Sequence, residues 1–315
     1  MSGDRDAIVD TLRGRVLRGL QAGTLRAGDR LPSARELAAE FDVDHRVLIA
    51  AYKELEAEQL VQLRPRGGAY IMARALRERG LPPLPEAWLV DVLVKGLARE
   101  LPGPELHEWL RRCTETLRLR AVVIASTPEQ GDGLSRELSD DYGLECAALL
   151  ADDVRGERDE SLLLRRADLL LTTHAHESLG KAIARRLQKP VILATVLPDV
   201  PGGEWALLLR RPVYAVVESA EFGEMLRMFY SQVPGIDNLR IIVHGRDDLS
   251  EIPDGAPTYV TQRARNDLAG TRIPGRLLPA ARIISTDSAR DIFAFIVRAN
   301  IQAMSRPGSE SGLSS

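Results

Sequence analysis

The sequence has few of the features that mark secreted or membrane-spanning proteins. Its 315 residues include two cysteines, Cys113 and Cys146, which lack metal-ligand spacing and suit a reducing compartment as structural thiols. No run of eighteen apolar residues occurs, and no charged segment followed by an apolar one opens the chain. We therefore expect a cytoplasmic protein that has no signal peptide and no membrane partner.

Motifs of catalysis are also missing. The chain has neither the Gly-x-Ser-x-Gly turn of a serine hydrolase nor a phosphate-binding P-loop. His174-Ala175-His176-Glu177 contains the residue types of a metal site, but its two histidines lack the i, i+4 spacing of a helical metal pair. We therefore expect a protein that is not an enzyme, with no catalytic residues, no metal and no cofactor.

Neither sign of charge is in large excess. The formal net charge is −3, and residues 1–72 contain eleven Lys/Arg and eleven Asp/Glu. A segment without net charge attracts DNA phosphates only weakly, so DNA binding by it would depend on where its arginines point. The apolar content of 44% and the charged content of 28% are ordinary for a soluble globular protein. The length suggests two domains or a little more.

Residues 28–61 contain the pattern of two short amphipathic helices with a tight break between them. Ser33 is a good N-cap, and Glu36 completes a capping box for the first helix. Asp44 is the N-cap of the second helix, in which apolar residues recur at helical spacing from Val47 to Leu55. Two capped helices this close must cross steeply, which predicts a helix-turn-helix that presents its second helix to a DNA major groove.

A β-hairpin is predicted directly after these helices. Residues 60–63 and 69–72 have strand character, and the segment between them holds Arg64, Arg66, Gly67 and Gly68. Glycines let the backbone approach a phosphate closely, and arginines at a hairpin tip suit a narrow minor groove. The whole segment therefore predicts a winged helix-turn-helix.

Residues 8–72 resemble the DNA-binding domain of the GntR family of bacterial transcription regulators. The matching motifs include Gly28-Asp29-Arg30-Leu31-Pro32-Ser33, Glu36-Leu37-Ala38 and Gly67-Gly68. The resemblance implies a homodimer that binds a roughly palindromic operator in double-stranded DNA. The residues that it and the helix pattern place at DNA are Ser33, Arg35, Asp44, His45, Arg46, Lys53, Arg64, Arg66, Gly67 and Gly68.

The recognition helix departs from the family pattern. His45 and Ile49 stand where family members usually carry arginines, and Val47 stands where they carry a threonine. The departure implies a different operator or a lower affinity. A winged helix used for protein contact is the alternative interpretation.

Residues 73–85 are expected to form a Pro-rich spacer between the head, which is the winged helix-turn-helix of residues 1–72, and the rest of the chain. Two helices are predicted to follow at residues 86–100 and 105–117. They either form a dimer contact or cover the sheet of the next domain.

From residue 120 onward, strands alternate with helices, which predicts an α/β fold built on a parallel sheet. The order of strands and helices repeats after roughly ninety residues, the size of a small domain. Two such lobes resemble a periplasmic-binding-protein-like sensor domain. The predicted domains are a winged helix-turn-helix (1–72), a linker (73–85), an α/β ligand-sensing and dimerisation domain, possibly bilobal (86–304), and a disordered tail (305–315).

Ligands of parallel sheets bind beyond the carboxyl ends of the strands. Small polar side chains stand at these positions and predict a site for a small polar or anionic metabolite, although each hydroxyl could equally well cap a helix. The candidate ligand-binding residues are Ser126, Thr127, Thr172, Thr173, His174, Ser219, Thr261 and Arg263.

Two functions are compatible with this pattern. The first is a transcription regulator whose operator binding responds to a small-molecule effector in the α/β domain. The second is a DNA-binding module fused to a protein-interaction or weakly enzymatic α/β domain without a small-molecule switch. A pyridoxal-phosphate enzyme-like domain, which some regulators with this head carry, is longer than the remaining chain allows.

Overall fold

The computed structural model describes residues 2–21, 25–65, 67–72, 86–156, 161–196, 204–278 and 282–305. The predicted linker, Arg66 and the last ten residues lie outside these ranges. The chain folds into two compact units, each built from two separate segments. The first unit comprises residues 1–89 and 199–281, and the second comprises residues 90–198 and 282–315. This grouping does not follow the predicted boundaries, and a single domain over residues 86–304 stays a prediction.

The first unit begins with the winged helix-turn-helix. Its elements are α1 (Ser2–Gln21), α2 (Ala34–Phe41), α3 (His45–Ala57), β1 (Val61–Arg64) and β2 (Gly68–Ile71). The two strands pair antiparallel, with Val61 opposite Ile71 and Arg64 opposite Gly68. Apolar side chains from all three helices and the hairpin are buried together, which confirms the predicted fold of the head.

The second unit contains a four-stranded sheet with helices before and between its strands. Its elements are α4 (Glu86–Leu97), whose first residues are grouped with the first unit, α5 (Gly103–Glu115), β3 (Arg120–Ala125), α6 (Pro128–Tyr142), β4 (Glu145–Leu150), α7 (Ala151–Gly156), α8 (Leu162–Arg166), β5 (Leu169–Thr173), α9 (Glu177–Leu187) and β6 (Val191–Ala194). The strands are all parallel in the order β4-β3-β5-β6.

The first unit continues with a second parallel sheet. Its elements are α10 (Glu204–Leu208), β7 (Val213–Val217), α11 (Ala220–Phe229), β8 (Leu239–Val243), β9 (Pro257–Val260), α12 (Gln262–Asp267) and β10 (Arg276–Leu277). The strand order is β10-β9-β7-β8, with every pair parallel. Read from the other edge, it matches the order of the first sheet, so the predicted repeat of strands and helices is confirmed.

Helix α13 (Thr286–Met304) returns the chain to the second unit, where it packs against α5 and β6. Successive residues of β3 point to opposite faces, and each face is covered by helices. Val123 lies in one apolar cluster with Leu134 of α6 and Ile292 of α13, whereas Ile124 lies in another with Ile183 of α9. Burial on both faces explains why β3 and β5 read as continuous apolar runs. Among the described residues, no helix has the length and apolarity needed to cross a membrane.

Candidate nucleic-acid interface

Helix α2 is fixed at both ends by local interactions. The Ser33 hydroxyl accepts a hydrogen bond from the backbone N–H of Glu36, and the Glu36 carboxylate accepts one from the backbone N–H of Ser33 at 2.6 Å. These hydrogen bonds lower the pKa of Glu36. Asp42 ends the helix in the left-handed conformation, with φ 53°. The predicted capping box is thus confirmed, and Ser33 is engaged in it.

Helix α3 has one buried and one exposed face. The Asp44 carboxylate accepts a hydrogen bond from the backbone N–H of Arg46 at 2.8 Å and so caps the helix. Leu48, Ala51, Tyr52 and Leu55 are buried on the inner face. The exposed residues of this helix are His45, Arg46, Ile49, Lys53 and Ala57. The polar side chains predicted to read DNA therefore point away from the core of the head.

Tyr52 ties α3 to the loop before α2. Its hydroxyl donates a hydrogen bond to the carbonyl oxygen of Pro32 at 2.5 Å, and burial raises the pKa of the phenol. The Pro32 carbonyl directly precedes the cap residue of α2. This contact fixes the relative position of the two helices from inside the head, where sequence periodicity alone predicted only an apolar residue.

The hairpin tip carries a stacked arginine. The Arg64 guanidinium lies 4.3 Å from the ring centroid of Tyr70, and the side chain is exposed. Gly68 has φ +97°, a conformation that favours glycine. The backbone N–H of Gly67 donates to the carbonyl of Arg64 at 2.9 Å and closes the turn. Gly67 and Gly68 thus shape the wing, and Arg64 is exposed on it while its guanidinium stacks on Tyr70.

The first unit also contains a buried charge cluster, which links the helix-turn-helix to the second sheet. Arg15 of α1 donates to one carboxylate oxygen of Glu40 at 2.7 Å, and Arg276 of β10 pairs with the other oxygen. Burial and the nearby Arg15 lower the pKa of Arg276 to about 10. A buried carboxylate between two guanidiniums is costly to leave unpaired, so this cluster holds the second sheet against the head.

The second unit presents polar groups at the carboxyl ends of its two central strands. The strand order reverses between β3 and β5, which is the position where open parallel sheets bind ligands. Ser126 follows β3, and its hydroxyl lies 2.8 Å from Nε2 of His176. Thr173, at the end of β5, is buried, and its hydroxyl has no hydrogen-bond partner in the described part of the chain.

The other ligand-binding candidates of this unit have structural partners. Thr127 caps α6 by accepting a hydrogen bond from the N–H of Gln130, and the Thr172 hydroxyl donates to the carbonyl of Ile124 at 2.8 Å. His174 is exposed, with Nδ1 3.6 Å from Glu177. From the sequence, His176 is assigned only to a metal motif, although its position shortly after β5 is a signal for a residue at the strand ends.

The second sheet has a more acidic carboxyl edge. Ser219 and Thr261 cap α11 and α12, and Arg263 is exposed on α12. Beside them, Nδ1 of His244 lies 2.9 Å from the carboxylate of Glu218. One ligand atom from each of Glu218, His244 and Asp267 lies within 4.8 Å of the others, and these are residue types that could hold a divalent cation.

The head is thus a winged helix-turn-helix with its recognition face open. Residues 8–71 match the family model described as bacterial regulatory proteins, gntR family. The chain therefore carries a GntR-family helix-turn-helix domain at its N-terminus, as the sequence motifs predicted.

Known relatives match part of this chain. An HTH-type transcriptional regulator of Mycobacterium tuberculosis is 41% identical over 64 residues, which are 20% of this chain and 53% of that protein. The vitamin B6 salvage pathway transcriptional repressor PtsJ of Salmonella typhimurium is 32% identical over 178 residues, 50% of this chain and 39% of that protein. The chain thus spans about half or less of these curated relatives.

Among solved structures, a transcriptional regulator from Oenococcus oeni is 23% identical and covers 33% of this chain and 88% of that one. Its TM-score is 0.22, too low to establish a common fold.

Proposed function

We propose that the protein is a DNA-binding transcription regulator that acts as a homodimer and responds to a small polar or anionic metabolite. The observation that carries this proposal is the exposed face of α3. His45, Arg46 and Lys53 project from a helix whose opposite face is locked into the core. A single α-helix fits the major groove, where side chains of this kind reach base edges and phosphates.

An exposed apolar surface supports the homodimer. Val94 and Leu97 of α4 are 57% and 59% exposed, and Trp109 and Leu110 of α5 are 43% and 54% exposed. Large apolar side chains exposed on two successive helices are typical of an interaction site. We assign a second copy of the chain as the partner, because a head with no net charge gains affinity by engaging two half-sites at once.

The strand ends of the second unit support the effector. Ser126, Thr173 and His176 flank the position where the strand order reverses. A buried threonine hydroxyl without a partner is costly and gains free energy when a ligand supplies a hydrogen bond. Hydroxyl and imidazole N–H groups donate to carboxylate or phosphate oxygens, which is why we propose a polar or anionic metabolite.

The test is binding of the protein to its own upstream region, with and without a pool of central metabolites. Arg35→Ala and Arg46→Ala are each expected to weaken binding about tenfold, the effect of losing one good DNA contact. Both side chains are exposed, so the far-ultraviolet dichroism and the unfolding midpoint should stay as in the wild type.

Arg240→Ala, on an exposed position of β8, is the matched control for loss of one positive charge. Unchanged binding in both head variants would contradict the assigned contacts. Release or tightening by one metabolite supports the sensor. Tight binding that no metabolite alters would instead favour a protein partner for the α/β region. Sedimentation equilibrium of the same samples tests the homodimer.

A further inference from the structure

Arg211, which lies outside the winged helix, reaches the turn of the helix-turn-helix. Its Nη2 donates to the Asp42 carboxylate at 2.7 Å, and the neighbouring Arg210 donates to the carbonyl oxygen of Phe41 at 3.4 Å. Phe41 and Asp42 are the last residue and the C-cap of α2. The contact therefore lies at the break that separates α2 from the recognition helix.

Arg211 is held there by buried structure. It follows α10, which packs against α1 and α2, and Leu208 and Leu209 just before it are buried. The buried Arg15–Glu40–Arg276 cluster also attaches the second sheet, which begins shortly after Arg211, to the head. Because all of these residues belong to the first unit, the guanidinium is carried at a defined place on the head.

That place is an open concavity of about 450 Å³ on the surface of the helix-turn-helix. Arg35 of α2 and His45 of α3 line it together with Asp42, Asp44 and Arg211. Side chains of Asp42 and Arg211 are 56% and 51% exposed, so the pair does not close the surface. Arg35 and His45 are residues proposed to face DNA, and Arg211 shares their surface.

The charges of the concavity explain what Arg211 adds. Without it, the concavity is lined by one arginine, Arg35, and two carboxylates, Asp42 and Asp44, and its net negative charge would repel a DNA phosphate. With it, the charges balance. A guanidinium has five N–H donors, of which the bond to Asp42 uses one, and the others suit a phosphate.

We propose that Arg211 is a DNA-phosphate contact contributed to the head by the segment between α10 and β7. This inference rests on the proposed DNA-binding function. It adds a residue that neither the family match over residues 8–71 nor the helix pattern includes. A purely structural role for the exposed Arg211–Asp42 pair would change stability little, because such pairs are weak. A phosphate contact would instead change the salt dependence of binding.

The test compares Arg211→Ala with Arg272→Ala, which removes the same charge from a highly exposed position of the same unit. Both variants are titrated by fluorescence anisotropy against the duplex that the wild type selects from random-sequence DNA, at several salt concentrations. Arg211→Ala is expected to bind about tenfold more weakly, with the slope of log K against log salt smaller by about one. Arg272→Ala should match the wild type.

Repeating the pair of variants in an Asp42→Asn background separates a phosphate contact from mere neutralisation of Asp42. The slope change should persist there. Its disappearance, or equal behaviour of Arg211→Ala and Arg272→Ala, would overturn the inference while leaving DNA binding intact. A wild type that selects no duplex would overturn the proposed function and this inference together.

Discussion

The two parallel sheets of this protein share a strand order but differ in the chemistry of their carboxyl edges. The sheet of the second unit ends in Ser126, Thr173 and His176, which supply hydroxyl and imidazole groups. The sheet of the first unit ends in Glu218 and His244, with Asp267 nearby, and is more acidic. Topology thus fixes where a ligand can bind in each sheet, whereas the side chains decide which ligand it can be.

The first helix of each sheet is also built on one plan. Thr127 and Ser219 each cap their helix, and Gly131 and Gly223 each lie four residues later against the next strand. Leu134 and Leu226 occupy the next equivalent position and are buried. These matched pairs allow the same substitution to be made in both sheets, so that differences report on the surroundings and not on the chemistry of the change.

Leucine-to-alanine substitution at the matched core positions is expected to have the largest effect. Leu134 is fully buried and Leu226 is 7% exposed. Leu134→Ala should lower the free energy of unfolding by about 4 kcal/mol and Leu226→Ala by about 3 kcal/mol, because each leaves a cavity. Amide hydrogen exchange would assign each loss to its own unit. The exposed Leu162→Ala serves as control, and equal acceleration of exchange in both units by either variant would contradict separate cores.

The next largest effect on stability is expected from replacing Glu137, a buried carboxylate of the second unit. Glu137 of α6 accepts hydrogen bonds from the backbone N–H groups of Ile283 at 2.6 Å and Ile284 at 3.1 Å. Burial raises its pKa to about 7 and outweighs these two bonds, which lower it. The helix of the other sheet has Phe229 at the matching position. Of these two matched helices, α6 alone therefore carries this pH-sensitive attachment.

The raised pKa of Glu137 determines how the stability of the protein changes with pH. The folded state binds the Glu137 proton more tightly than the unfolded chain, whose carboxyl pKa is 4.5, so this group's contribution to stability falls as pH rises toward 7. Glu137→Gln cannot titrate. The wild type should lose about 2–3 kcal/mol relative to this variant between about pH 4.5 and pH 8.

Urea unfolding of the two proteins across this range measures the difference. Glu224→Gln, at an exposed position of α11, controls for the loss of a carboxylate. A constant difference between the wild type and Glu137→Gln would show that Glu137 does not titrate in this range.

Features set by neighbouring residues could be predicted from the sequence. Helix α6 runs from Pro128 to Tyr142 and ends at Gly143 with φ +69°, as its N-cap and glycine signals indicate. The caps at Ser33 and Asp44 were predictable for the same reason. Each of these signals acts over a few residues, where the sequence shows both partners.

Contacts between distant segments could not be predicted. Arg211 and Asp42 are separated by 169 positions, and neither has a local signal that selects the other. Strand β10 has two residues, too few for any periodicity. The candidate ligand site stays a prediction, although the parallel strands that it follows are present in the structure. Which hydroxyl faces a carbonyl, as Thr172 does, and which lacks a partner, as Thr173 does, depends on packing across the sheet.

The smallest effect is expected from alanine at the two matched glycines. A Cβ at Gly131 would lie 2.8 Å from the Cβ of Ala148, whereas one at Gly223 would lie 2.7 Å from Cγ2 of Ile241. The Ala148 Cβ is attached directly to the backbone of β4 and cannot rotate away, but the Ile241 side chain can adopt another rotamer. Both changes also gain about 1 kcal/mol of helix propensity.

The balance between the overpacking cost and the gain in helix propensity differs between the two sheets. Gly131→Ala should lower the free energy of unfolding by about 1 kcal/mol, because overpacking of about 2 kcal/mol exceeds the gain in propensity. Gly223→Ala should leave it within about 0.5 kcal/mol of the wild type, since a rotamer change relieves most of the clash. Urea unfolding resolves this difference. If Gly223→Ala is the more destabilising of the two, then Ile241 is held rigidly and α11 is packed more tightly against its sheet than α6.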